Sequence, residues 1–502
     1  MFVEHKQGNI KLVVLGLLLG ILMSAMDNTI VATAMGTIVS ELKGLEHFIW
    51  VTSAYMIAVL AGMPIFGKLS DMYGRKRFYM IGLILFLTGS ALCGMANSIV
   101  QLASFRAIQG IGGGALLPIA FTIIYDIFPP EKRGKMTGLF GAVFGLSSVF
   151  GPFFGAYITE FIGWRWVFYI NLPFGLISLY LITRNYHEML KPKQQKIDWL
   201  GIITLLGAII PLMFALELGG KMYDWDSLVI VTLLGLFLIC LILFIFAEKK
   251  ASDPIIPFYL FKRRLFASTQ VIGLIYGGIF VTITVYIPIF VQGVYGASPT
   301  TAGHILTPMM LASVVGSQFA GQFASKISFR NLMSISIVFF ITGVSLLGTI
   351  DTNTPKSILT LYIILSGIGV GFSFSLLGLT SMHKTEISER GAANASMSFF
   401  RSLGMTLGIT IFGSFQTKTF SGLIEEKLPD FDNKSNDPSV LFSPEMREVI
   451  PTDQLEKIVA ALADSISDIY KFGAFAIIIA AVAVSFMGTD KLETTSKIKE
   501  KN

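Results

Sequence analysis

The sequence predicts an all-α, polytopic membrane protein in which two parallel six-helix halves flank a pair of inserted helices. Three observations predict it. The chain has 502 residues, is 53% hydrophobic and only 14% charged, and has positive mean hydropathy, whereas a soluble domain carries about 25% charge. Fourteen apolar stretches are each long enough, at roughly 20 residues, to cross a bilayer. Glycine-bearing segments early in the chain recur late in it at a nearly constant offset. This composition excludes a disordered tail, a small disulfide scaffold and an extended nucleic-acid binder. Cys93 and Cys240 both fall in apolar runs and read as small buried hydrophobes, with no disulfide framework.

The first six spans are expected at 10–35, 48–66, 78–96, 99–124, 137–159 and 166–183. Two more follow at 200–218 and 228–246. The last six are 268–291, 302–323, 332–350, 358–380, 393–413 and 472–487. The first run is long, contains Asp27 and leads straight into another span, so it reads as a retained helix rather than a cleaved leader. If the N-terminus is cytoplasmic, most of the 38 Lys and Arg residues fall in cytoplasmic loops, among them Lys68, Arg75, Lys76, Arg77, Lys191, Lys193, Lys196, Lys262, Arg263 and Arg264. That asymmetry puts both termini inside. The segment 415–471 is expected as a long external loop, with a short amphipathic helix at about 455–469.

Internal repetition orders these spans. Gln109-Gly110-Ile111-Gly112-Gly113-Gly114 is echoed by Ser366-Gly367-Ile368-Gly369-Val370-Gly371, and Glu131-Lys132-Arg133-Gly134 by Ser388-Glu389-Arg390-Gly391. A fainter echo links Gly67 with Gly321. Spans one to six therefore pair with nine to fourteen, as parallel repeats about an axis along the membrane normal. The boundaries that follow are an N-terminal six-helix bundle at 1–190, a linker and inserted hairpin at 191–262, and a C-terminal six-helix bundle at 263–502.

Intramembrane charge marks the candidate functional residues, because a charge in hydrocarbon is expensive and ordinarily meets a partner or a cavity. Asp27 lies deep in the first span, and a carboxyl's proton affinity depends on its burial and neighbours. It reads as a proton site or as a buried structural acid. Arg106, in the fourth span, has no acid in its own helix and needs a partner across the bundle or an aqueous cavity. It holds its proton near neutral pH but can organise a carboxyl that does not. Glu217 is a second acid, toward the outer end of the seventh span, and Arg401 in the thirteenth has an open role.

Between spans two and three stands Gly67-Lys68-Leu69-Ser70-Asp71-Met72-Tyr73-Gly74-Arg75-Lys76-Arg77. Gly67 and Gly74 accept tight turns, and Asp71 can accept charge-assisted bonds from Arg75 or a neighbouring helix end. The expectation is a latch that biases the outward-facing state. This loop resembles the signature of the major facilitator superfamily, and nearly the whole chain resembles its fourteen-helix drug:proton antiporters. Arg106, Gln109 and Gly110 are similar to that family's fourth-helix motif, whose arginine is associated with proton coupling. Gly141, Gly145, Gly151, Pro152 and Gly155 resemble its fifth-helix antiporter motif, with Ala156 where a second glycine is common. Met26-Asp27-Asn28-Thr29-Ile30-Val31 and Trp164-Arg165-Trp166-Val167-Phe168-Tyr169-Ile170-Asn171-Leu172-Pro173 resemble segments of the same branch.

The resemblance implies a non-enzymatic, proton-coupled exporter of lipophilic, often cationic compounds in a cytoplasmic membrane, working as a monomer without cofactor or ATPase subunit. Asp27, Arg106, Gln109 and Glu217 are the coupling or binding candidates. Gly67, Asp71, Gly74, Arg75, Gly145, Gly151, Pro152 and Gly155 are the switching candidates. The five histidines are scattered and no Gly-x-x-x-x-Gly-Lys-[Ser/Thr] phosphate loop occurs, so metal and nucleotide chemistry have no motif here. Alternatives are a facilitator or importer of a nutrient, lipid or fatty acid, and a non-transporting receptor or scaffold.

Overall fold

A computed structural model describes residues 9–42, 49–188, 196–220, 222–428 and 451–492. In hydrocarbon the backbone must satisfy its own polar groups, so apolar runs become helices. The described helices are α1 (Ile10–Leu42), α2 (Ile49–Tyr73), α3 (Arg75–Gly94), α4 (Ile99–Ile127), α5 (Pro130–Phe161), α6 (Trp166–Tyr169), α7 (Asn171–Asn185) and α8 (Trp199–Leu218). They continue with α9 (Leu228–Lys250), α10 (Arg264–Gly293), α11 (Pro299–Phe323), α12 (Phe329–Leu347), α13 (Lys356–Met382), α14 (Arg390–Lys427) and α15 (Thr452–Ser485). Starts are capped by short polar side chains: Ser98, Asp198, Ser227, Ser298 and Ser328 each accept a bond from a backbone N–H three residues on.

Eleven spans among the described residues are long and apolar enough to cross a membrane, with α6 and α7 together forming one. The helices α5, α11 and α14 are 32, 25 and 38 residues long but richer in glycine and polar side chains. Two differences from the sequence expectation have local causes. The sixth span is interrupted at Ile170, just before Pro173, whose missing N–H leaves the Tyr169 carbonyl without its helical donor. The segment expected as a loop at 415–471 is helical at both ends, because α14 runs on to Lys427 and α15 begins at Thr452. The amphipathic stretch at 455–469 is the first part of that 34-residue helix, held by buried Ile458, Leu462, Ile466 and Ile469. Residues 429–450 of the expected loop, and 191–195 of the expected linker, lie outside the described residues.

The helices α1–α4, α6 and α7 pack chiefly within α1–α7, and α10–α15 pack chiefly on one another, whereas α5 packs at least as extensively on α11 and α13 as on its own group. The sequence echoes recur as contacts. Gly110 closes against the Tyr55 carbonyl, Gly112 against Phe86 and Gly114 against the Val59 carbonyl. In the C-terminal group Gly367 closes against the Met309 carbonyl, Gly369 against Phe340 and Gly371 against Ser313. A side chain at any of these six glycines would run into backbone, so the glycines set how closely α4 approaches α2 and α3, and α13 approaches α11 and α12.

The two groups meet along a seam near one end of the bundle, where α2 and α4 finish and α5 and α14 begin. Two glycine crossings anchor it, and α5 continues along α11 through Gly138, Gly141 and Gly145. Gly67 of α2 packs on Gly391 of α14, and Gly134 of α5 packs on Gly321 of α11. The faint Gly67–Gly321 echo thus joins the stronger Gly134–Gly391 echo in space. Beyond the seam, α5 turns its Gly151 and Gly155 toward Thr29 and Thr33 of α1, within its own group. The hairpin α8–α9 covers one flank: Leu205, Ile209 and Met213 of α8 join Leu60, Ala61 and Met63 of α2, Phe244 of α9 and Phe399 of α14 in one apolar cluster.

Candidate functional site

The N-terminal helices hold a charged network with no exposure at all. Asp27 of α1 faces Arg106 and Gln109 of α4, and all three side chains are 0% exposed. Arg106 Nη1 donates to Asp27 Oδ2 and, at 2.8 Å, to Gln109 Oε1, while its Nε donates to the Val51 carbonyl at 3.2 Å. Gln109 Nε2 donates to Asp27 Oδ1 at 2.7 Å. Asn171 Nδ2 adds a bond to the same oxygen at 3.2 Å and another to Ser90 Oγ at 3.1 Å. The Arg106 guanidinium lies over the Tyr55 ring, 3.9 Å from its centroid.

The helix break at Ile170 has a consequence here. It starts α7 at Asn171 and aims that side chain at the carboxylate, while Ser90 Oγ donates onward to the Phe168 carbonyl at 2.8 Å. Asn171 and Ser90 were not singled out as site residues in the sequence, because neither is charged. The signal for Asn171 was its place in the Trp164–Pro173 segment; Ser90 had none.

Chemically this is a buried carboxyl group held by one cation and two amides. Removing either charge alone would strand the other in a dry core, which ordinarily costs about 3–5 kcal/mol.

Glu217 is not part of this cluster. It is half-buried on α8, which packs chiefly on α9, α2 and α14 rather than α1.

At the seam a second network joins the groups. Asp71 Oδ1 accepts the Gly391 N–H at 2.9 Å and Oδ2 accepts the Ala392 N–H at 2.8 Å, so the carboxylate caps the first turn of α14. Arg75 Nη2 donates to Asp71 Oδ1 at 3.2 Å and to the Ile387 carbonyl at 2.6 Å, and Arg75 also pairs with Asp126 of α4. Arg390 reaches the same Asp126 at 2.7 Å. Gly74 between α2 and α3 has φ +105°, a conformation that L side chains rarely adopt, and Lys76 N–H donates to Glu188 there at 2.9 Å. Asp126 and Arg390 escaped the sequence reading as latch members because they lie in other helices, 264 residues from each other.

Of the fifth-helix residues, Gly145 packs on Ser313 of α11, whereas Gly151 and Gly155 pack on α1. Pro152 lies in α5, but its side-chain surroundings lie outside the described residues. Among the described residues no group of three or more His, Cys, Asp or Glu side chains is placed to hold a metal ion.

Comparison with known proteins places the family and the fold. The Major Facilitator Superfamily model matches residues 17–409. The chain is 55% identical to multidrug resistance protein 3 of Bacillus subtilis (strain 168), over 99% of this chain and 98% of the relative. It is 37% identical to multidrug transporter protein MdtP of the same organism, over 97% and 95% respectively. The proton:xylose symporter XylE superposes with a TM-score of 0.64 at 15% identity, covering 98% of each chain, a likeness of fold.

Proposed function

Because the chain belongs to the Major Facilitator Superfamily, we propose that it is a secondary active exporter that exchanges protons for small lipophilic, drug-like compounds across the cell membrane. The observation that carries this reading is the buried Asp27–Arg106–Gln109–Asn171 network, a titratable group inside a transporter fold whose whole-length relatives are multidrug proteins.

In this reading α5, α11 and α14 cross the membrane with the eleven more apolar spans, for fourteen crossings. Helices α1–α7 and α10–α15 form two parallel six-span halves, with domains at 1–190, 191–262 and 263–502. The recurrent glycine contacts support that symmetry. The seam lies on the cytoplasmic side with both termini, and the protein works as a monomer driven by the proton gradient alone.

The cycle follows from the two networks. With the Asp71 cap and the glycine crossings made, the halves are joined on the cytoplasmic side and the opposite end is the one free to open. Proton uptake by Asp27 weakens its hold on Arg106, and the rearrangement of α1 against α4 accompanies the switch to the other state. Substrate then enters from the cytoplasm or inner leaflet as the proton leaves. Asp27, Arg106 and Gln109 couple protons. Gly67, Asp71, Gly74, Arg75, Gly145, Gly151, Pro152 and Gly155 shape the switch. Glu217, on the inserted hairpin, contributes a second acid near the outer surface.

The test is flux of a lipophilic drug-like compound into or out of liposomes containing the purified protein under an imposed pH gradient. Movement against the compound's own gradient is expected; a flux indifferent to the pH gradient for every transported compound rejects the reading.

A further inference from the structure

Arg401 is a charge that this cycle leaves unused. It stands eleven residues into α14, roughly 16 Å along the axis from Arg390 at about 1.5 Å per residue. Its side chain is only 5% exposed. Among the described residues no carboxylate pairs with it, and its neighbours are aromatic rings. Arg75 and Arg106, whose guanidinium groups are fully buried, both meet aspartates. None of its nitrogens is sealed away without a bond, so the residual exposure reaches the guanidinium itself.

What surrounds it is aromatic and comes from both groups of helices. The guanidinium carbon lies 5.4 Å from the ring centroid of Phe144 on α5 and 5.9 Å from that of Phe374 on α13. Phe374 meets Phe144 and Phe280 edge-on, at 5.4 and 5.5 Å. On α10, which also carries Phe280, Gly273 and Gly277 face the α14 backbone and the stem of Arg401 and present no side chain there.

A desolvated cation between two moving halves is costly, and ring contacts offset only part of that cost. An anion completes the site. We infer that Arg401, with Phe144, Phe280 and Phe374, forms a substrate subsite for aromatic amphiphiles bearing a carboxylate, zwitterions included. The guanidinium fork takes both carboxylate oxygens while the compound's rings lie among the phenylalanines. The inference rests on the transport reading above and extends its substrates beyond lipophilic cations.

The experiment uses the full chain in nanodiscs of zwitterionic lipid and two probes of matched shape, pyrene-1-butyrate and the neutral pyrene-1-butanol. Binding is read by fluorescence anisotropy with empty nanodiscs subtracted. The acid is expected to bind at least about tenfold more tightly than the alcohol, the scale of one charge-assisted bond. Arg401→Gln brings that ratio to about one, and Arg401→Lys gives an intermediate value because a point charge lacks the fork. The ratio within one sample is insensitive to how much protein is folded. Equal affinity for both probes in the unaltered protein, or an undiminished ratio in Arg401→Gln, overturns the subsite and leaves Arg401 a brace for the rings. A preserved acid preference with no proton-driven flux of any compound defeats the transport reading alone.

Discussion

Asp27 and Arg106 form a buried pair that is a stability problem and, in the proposed cycle, the coupling device. Both are sealed from solvent, and each is the other's charge compensation. Arg106→Gln is therefore expected to lower stability by about 3–5 kcal/mol, since it leaves a buried carboxylate without its cation. Adding Asp27→Asn should return part of that loss, because no charge is then stranded. Thermal unfolding of the purified single and double variants checks this, and a double variant no more stable than Arg106→Gln would contradict it. Asp27→Asn alone is expected to cut proton-driven export to about one tenth or less while leaving substrate binding measurable. Flux and binding measured on the same preparation separate the two effects.

At the scale of elements, the informative contacts lie where helices from different groups approach backbone to backbone. Gly134 and Gly321 leave no room for a side chain, since a Cβ on either would strike the other's carbonyl. Gly134→Val is accordingly expected to open the seam and shift the population away from the state described here. Asp71→Asn acts on the same equilibrium by another route, weakening the charged cap on α14 that now accepts from Gly391 and Ala392. A helix-terminal carboxylate contributes about 1–2 kcal/mol, enough to change a two-state ratio about five- to thirtyfold. Cross-linking or spin-label distances across the seam read both variants. Unchanged distances in both would mean that the seam does not set the conformational balance.

For the molecule as a whole, a seam made at one end predicts reciprocal movement. Spin labels at Lys135 and Lys326, on exposed positions beside the Gly134–Gly321 crossing, should separate when labels at Glu160 and Gly303, near the other ends of α5 and α11, come together. Adding transported compound or lowering the pH should move the two distances in opposite senses. Parallel changes of both pairs would exclude alternating access about this seam. The inserted hairpin belongs to this scale as well: α8 packs on α2 at the flank of the seam while α9 buries little of itself, so the pair lines one side of the moving interface without filling its centre.

The all-helical membrane class was legible in the chain alone, since apolar runs of sufficient length have no alternative to helix in a bilayer. The chain also exposed the repeat, because close helix approach demands glycine and only a few positions tolerate it: Gly110, Gly112 and Gly114 and their later counterparts were legible for that reason. Asp27 and Arg106 stood out because charge in an apolar helix is conspicuous. Tertiary structure alone decided which groups meet. Asn171 and Ser90 are ordinary polar residues until the break at Ile170 turns one toward Asp27, and Asp126 becomes part of the latch only when α4 reaches Arg75 and Arg390. The extent of α14 and α15 through the expected loop was likewise hidden, since their polar ends are stabilised by packing on each other rather than by hydropathy, as in the Gln416–Ser465 bond. A linear chain records how costly each residue is to bury, whereas which partner offsets that cost is fixed only when distant helices close.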